Sequence, residues 1–187
     1  MIRKRNLIPA WIAFAAGLAA VITLDACNTA DDETPPAGGG NGGSVTVDGI
    51  DLTWKPEGQN LHVTVKAPTT GWVAVGFDPS VGMKDANMIL AYVAGSGVVA
   101  RDDFGTAVNS HDADTNLGGA YNVMNPTGKE EAGSTEVSFT IPLDSGDAYD
   151  KKLVVGQTYK VLLAYGPNGA DDFTIQHATR TAANIRI

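Results

Sequence analysis

Beyond about residue 44, apolar and polar residues alternate in short runs separated by turn residues. Ile50, Leu52 and Trp54 alternate with Asp51 and Thr53, the period of a half-buried strand. Asp48-Gly49, just before it, is a two-residue hairpin signal that joins this strand to Val45 and Val47. After Pro56-Glu57-Gly58, the pattern returns with Leu61, Val63 and Val65 on one side and His62, Thr64 and Lys66 on the other, so His62 is expected to face solvent. The runs at 72–77 and 88–93 are denser, as in central strands covered on both faces, and Gly95-Ser96-Gly97 turns the chain into Val98-Val99-Ala100-Arg101. Val137, Phe139 and Ile141 alternate ahead of Pro142, 159–165 is another apolar run, and Asn184-Ile185-Arg186-Ile187 closes the chain. With no sustained helical period in this part, the pattern predicts an all-β fold, an antiparallel two-sheet β-sandwich. Residues 106–134 are small and polar with little alternation, and are expected to form long loops holding one short strand at most.

The N-terminal segment breaks this pattern. Arg3, Lys4 and Arg5 precede an apolar stretch from about Ile8 to Leu24, and Ala26 is small, the layout of an export signal over 1–26. Leu24-Asp25-Ala26-Cys27 resembles a bacterial lipobox, which implies acylation of Cys27 and an extracytoplasmic protein anchored by lipid to a bacterial membrane. An uncleaved signal anchor is the alternative, disfavoured because the apolar run is short for a spanning helix and ends at a cysteine. Residues 27–43 include Asp31-Asp32-Glu33, Pro35-Pro36 and a run of glycines, the composition of a flexible tether. Residues 44–187 then form one domain of usual size.

Composition narrows the function. The chain has 13 Lys+Arg against 21 Asp+Glu. Removing 1–26 takes three basic residues and one acidic one, leaving 10 against 20 and a net charge of −10. Such a surface repels nucleic acid and anionic headgroups. Cys27 is the single cysteine, which excludes an internal disulfide, a thiolate metal cluster and a Cys-x-x-Cys-His attachment. There is no Gly-x-Ser-x-Gly turn, His-Glu-x-x-His or phosphate-binding glycine loop. The pairs Asp102-Asp103 and Asp171-Asp172 would face opposite ways in extended chain and are read as solvated, not as acid–base partners. His111-Asp112-Ala113-Asp114-Thr115-Asn116 has oxygen ligands at alternate positions, as calcium loops do. Leu117 and Val123 stand where an EF-hand needs glycine and glutamate, so a solvated acidic loop is the preferred reading.

Three segments carry a resemblance to a known family. They are Gly71-Trp72-Val73-Ala74-Val75-Gly76-Phe77, Met83-Lys84-Asp85-Ala86-Asn87-Met88 with the strand after it, and Phe173-Thr174-Ile175-Gln176-His177-Ala178-Thr179-Arg180. Together they resemble the DOMON family, immunoglobulin-like sandwiches whose members bind haem or sugars, over roughly residues 50–187. In the haem-binding branch, similar to the cytochrome domain of cellobiose dehydrogenase, a methionine after the Gly-Trp strand and a histidine in a late loop ligate a b-type haem. The resemblance puts Met83 and His177 in those roles, with Met88 as competitor for the first and His111 as fallback for the second. Such a haem b would be non-covalent, because no second cysteine exists to attach it. Trp72, Phe77, Tyr92 and Phe173 are the expected apolar cover, and Arg180 the expected partner of a propionate. The implied activity is electron transfer with a redox partner protein or small donor or acceptor, not catalysis.

Two other readings stay open at this level. A cell-surface carbohydrate-binding module of the same fold would stack sugar rings on Trp54, Trp72 or Tyr121. A structural or adhesive lipoprotein would need no small ligand.

Overall fold

The computed structural model describes residues 42–187; the signal segment, Cys27 and all but the end of the tether lie outside the described residues. Eleven strands and one short helix follow in order: β1 (Gly43–Val47), β2 (Ile50–Glu57), β3 (Asn60–Ala67), β4 (Val73–Phe77), β5 (Asn87–Ala94), β6 (Gly97–Ala107), β7 (Ser110–Ala113), α1 (Asp114–Leu117), β8 (Met124–Glu131), β9 (Ser134–Pro142), β10 (Thr158–Tyr165) and β11 (Thr179–Arg186). They build a five-stranded sheet, β1-β2-β3-β9-β8, and a six-stranded sheet, β11-β10-β4-β5-β6-β7. Every pairing is antiparallel. The fold is therefore all-β, two antiparallel sheets in a sandwich, as the alternation predicted.

The alternating side chains meet between the sheets. Leu52 and Trp54 of β2, Val63 of β3 and Phe139 of β9 pack against Val73, Val75 and Phe77 of β4 and Val161 and Leu163 of β10 in one buried cluster. Burying each such side chain contributes about 1.5–3 kcal/mol. The Trp54 indole N–H donates to the Arg186 carbonyl at 2.9 Å, stitching one sheet to the last strand of the other. At the first hairpin, Asp48 and Gly49 both have positive φ (49° and 78°) and Val47 pairs Ile50, the geometry that two-residue turns need. His62 faces outward as expected, where its Nδ1 bonds Thr140 at 2.9 Å.

The expectation of long loops over 106–134 needs correction: this stretch contains the end of β6, then β7, α1 and β8. Both β7 and β8 are edge strands, held mainly by backbone hydrogen bonds to a single neighbour. Their exposed side chains are polar, which removes the apolar alternation on which strand recognition depends. Pro126 sits where the β8 register shifts, a place that tolerates a missing N–H. Among the described residues, no helix is long and apolar enough to cross a membrane.

Candidate functional site

The six-stranded sheet is buried on its other face as well around β4 and β5. Trp72 and Ala74, Met88 and Leu90, with Ala86 and Ala170, form a second apolar layer, against which Met83, Tyr92, Leu162, Ala164 and Phe173 pack. Ala74 of β4 and Ala164 of β10 are its smallest members on these strands. At Gly76, an added Cβ would lie 3.1 Å from Met88 Cγ, so the missing side chain makes room for the methionine to lie across β4. Above this floor opens a cavity of about 650 Å³, within the range of sites that take small molecules and cofactors. Met83, Met88, His177 and Arg180 all line it, with Ala74, Leu162, Ala164 and Ala182 beneath.

Met83 reaches the cavity from a strapped loop. Its backbone N–H donates to Val108 O at 2.9 Å, and its carbonyl accepts from Ala86 N at 3.1 Å. Asp85 N donates to Gly105 O at 2.7 Å, and Gly105 N donates to Ala86 O at 2.9 Å. The Ser80 hydroxyl donates to the Asp85 carboxylate at 2.6 Å within the same loop. This close packing requires glycine at 105, since a Cβ there would run into the Met83 carbonyl. His177 comes from the other side, in the loop between β10 and β11, anchored one residue later by Ala178 N to Tyr165 O at 2.8 Å. Its half-buried imidazole forms no hydrogen bond among the described residues.

The structure thus brings Met83, His177 and Arg180 to one cavity, and Met88 with them. Trp72, Tyr92 and Phe173 belong to the adjoining apolar layer instead of the cavity wall. Tyr92 and Phe173 pack at 5.0 Å between ring centroids with their planes tilted by 56°, and the Trp72 indole N–H donates to Ile175 O at 3.1 Å, fixing the chain two residues before His177. Phe77 is a correction: it is fully buried in the core between the sheets, with Val73 and Val75. Strand alternation sets Phe77 on the face opposite Trp72, Ala74 and Gly76, so it cannot cover a group in this cavity. His111 is also diverted, for its Nδ1 lies 2.5 Å from the Asp103 carboxylate. Trp54 and Trp72 are 2% and 4% exposed, so neither offers a ring to a sugar; Tyr121 remains exposed.

The carboxylates need a second correction. Asp171 and Asp172 are exposed as expected, but Asp102 and Asp103 are buried, as is Asp114 in the stretch read as a solvated loop. Asp103 is held by two Arg101 N–H donors at 2.6 Å each as well as by His111. Asp102 accepts one backbone N–H, from Asn122 at 2.7 Å. Burial pushes the Asp102 carboxyl up to about 7 and that of Asp114 up to about 8, with neighbouring carboxylates adding to both, and it also raises Asp150. Sequence reasoning missed Gly105, Ala74 and Ala164 as site residues. The alternate small positions on β4 and the glycine on β6 were the available signal.

A thioether and an unengaged imidazole lining one cavity, over a largely apolar floor, fit the donor set of an iron macrocycle. The DOMON domain family matches residues 48–166, more than half of the chain, leaving His177 and Arg180 beyond the matched stretch. No curated protein matches significantly. Similar solved structures include two cytochrome domains. The cytochrome b domain of pyranose dehydrogenase from Coprinopsis cinerea aligns with a TM-score of 0.55 at 10% identity, covering 77% of this chain and 80% of that one. The cytochrome domain of Myriococcum thermophilum cellobiose dehydrogenase aligns with a TM-score of 0.54 at 7% identity, covering 78% and 82%. At these identities the likeness is one of fold; the family match is what places the chain, which belongs to the DOMON domain family.

Proposed function

We propose that this protein is an extracytoplasmic electron-transfer module whose cavity takes a non-covalent haem b between Met83 and His177. One observation carries the reading: a methionine thioether and a histidine imidazole from distant parts of the domain line the same cavity of about 650 Å³. A haem so ligated exchanges single electrons and leaves no open position for oxygen or peroxide, which makes the protein a carrier and not a catalyst. The chain's own part is to hold and shield. The Gly105 contact and the Val108 hydrogen bond fix the Met83 backbone, and Trp72, Tyr92 and Phe173 close the adjoining side against water. Arg180, exposed at the rim, supplies a cation for a carboxylate on the bound group. The similar folds named above are cytochrome domains, which supports the same reading.

In this proposal lipid on Cys27 holds the domain to a bacterial membrane, and the tether lets it meet a redox protein or small donor or acceptor there. The test is an absorbance spectrum of the purified protein mixed with haem. Sharp low-spin bands on reduction are expected, lost in Met83→Leu and in His177→Ala but kept in Met88→Leu. A protein that takes up no haem, or spectra unchanged by both of the first two substitutions, would refute the proposal. Cys27→Ser should release the protein from the membrane fraction, which checks the anchor separately.

A further inference from the structure

We infer that Asp102, Asp114, Asp150 and the side-chain carbonyl of Asn87 form a calcium site, separate from the cavity. One ligand oxygen from each of the three aspartates lies within 4.8 Å of the others. The group is assembled from separate parts of the chain: Asp102 on β6, Asp114 at the start of α1, Asp150 in the segment between β9 and β10, and Asn87 at the start of β5. Two of the carboxylates are almost wholly shut off from water, Asp114 at 0% exposure and Asp102 at 3%.

Their hydrogen bonding is conspicuously incomplete. Both carboxylate oxygens of Asp114 and Oδ1 of Asp102 have no partner, although an unpaired buried charge costs several kcal/mol. The Asn87 amide, 3% exposed, donates from its nitrogen to Asp150 Oδ1 at 2.7 Å, which fixes the side chain beside the cluster. Its carbonyl oxygen is also buried and unpaired. Among the described residues, no Lys, Arg or His forms an ion pair with any of the three aspartates. The nearby acids are engaged elsewhere: Asp103 by Arg101 and His111, Asp147 by the N–H groups of Ala120 and Tyr149. Orphaned acceptors with no donor in reach call for a cation.

The donor set selects which one. All the ligands are hard oxygens, with no sulfur or imidazole, which disfavours zinc and copper. Calcium accepts six to eight oxygens in flexible geometry, including bidentate carboxylates, whereas magnesium demands an octahedron and keeps several waters. A site as dry as Asp114 makes it leaves little room for those waters. Of the oxygen-bearing residues in the 111–116 pattern only Asp114 joins the cluster, since Asp112 is exposed and bonded to Asn116 at 2.8 Å.

The test uses purified protein stripped with a chelator and titrated with calcium chloride, followed by calorimetry and by thermal unfolding. One ion should bind per chain, and at free calcium a hundred times Kd the Tm should rise by roughly 5–10 °C. Asp114→Asn and Asp102→Asn, each an isosteric exchange, should weaken binding at least tenfold while keeping the strand spectrum by circular dichroism. Asp112→Asn should bind like the parent. Absence of binding at millimolar calcium, equal affinity for magnesium, or undiminished binding in the Asp102→Asn/Asp114→Asn double variant would each overturn the assignment. If the single variants do not fold, Asn87→Ala in the same titration decides it: unchanged affinity counts against the site and a tenfold loss supports it.

Discussion

The Asp103 network lends itself to a quantitative test. Its carboxylate is fully buried and takes three charge-assisted hydrogen bonds, two from Arg101 at 2.6 Å and one from His111 at 2.5 Å. The Arg101 side chain is 34% exposed, and its guanidinium lies 5.1 Å from the centre of the Phe173 ring in the segment leading to His177. The two ends of the pair therefore differ in what happens when the partner is lost. In Asp103→Leu, Arg101 can turn towards water, and the cost should be about 2–3 kcal/mol for the lost hydrogen bonds. In Arg101→Met, the carboxylate stays in a dry site with His111 alone, and the cost should approach 3–5 kcal/mol, including the lost contact on Phe173. The double variant should recover much of this, because neither charge is then stranded. Denaturant unfolding of the four proteins at one pH measures all three values. If Asp103→Leu proves the costlier single change, or the double variant loses the sum of both, burial does not govern this network as described.

Gly105→Ala should displace the Met83 carbonyl and weaken haem retention at least tenfold in a spectroscopic titration, whereas Gly97→Ala, whose added Cβ meets nothing closer than the Ala94 oxygen at 4.0 Å, should leave it unchanged. In chelator, the raised Asp102 carboxyl predicts a stability that falls as pH rises from about 4 to about 7, since the native state there holds a proton that the unfolded chain has released. The parent minus Asp102→Asn difference in unfolding free energy isolates this slope from the histidines, and a flat or rising difference would refute it.

The interior of the sandwich was legible because one-sided burial imposes a period of two: Leu52 and Trp54, Val63 and Val65, Val137 and Phe139 all face inward as the alternation requires. The double burial of β4 and β5 was legible from their density of apolar residues. Phe77 lies on a segment next to the ligand-bearing loop, but its parity with Val73 and Val75 turns it to the core, so nearness along the chain is no guide to which face a strand residue takes. The edge strands β7 and β8 were hidden for a physical reason, since a strand held by backbone pairing with its side chains in solvent carries little apolar signal. Asp102, Asp114 and Asp150 could not have been grouped at all. Their meeting depends on how β6, α1 and the segment after β9 converge, which no local pattern encodes.

The contrast between the two faces of the six-stranded sheet bears on function more than either face alone. On the inner side, β4 and β10 present Val73, Val75, Phe77, Val161 and Leu163, which fill the space to the opposite sheet. On the outer side, the same strands alternate with Ala74, Gly76, Leu162 and Ala164, joined by Ala182 of β11. Valine at buried Ala74 would bury further methyl groups, each worth about 0.8 kcal/mol, and valine at half-buried Ala164 or exposed Ala182 would fill part of the cavity. A sheet with nothing to bind there would gain stability by closing it. Keeping the floor low while trussing Met83 to β6 through Gly105 sacrifices packing on one face to hold a space open beside a fixed sulfur. Departures from best packing of this kind concentrate at functional sites. The same alternation puts Met88 and Asp103 on the outer face and Ile89 and Asp102 on the inner one, so a single strand pair borders the cavity on one side and supplies the aspartate cluster on the other.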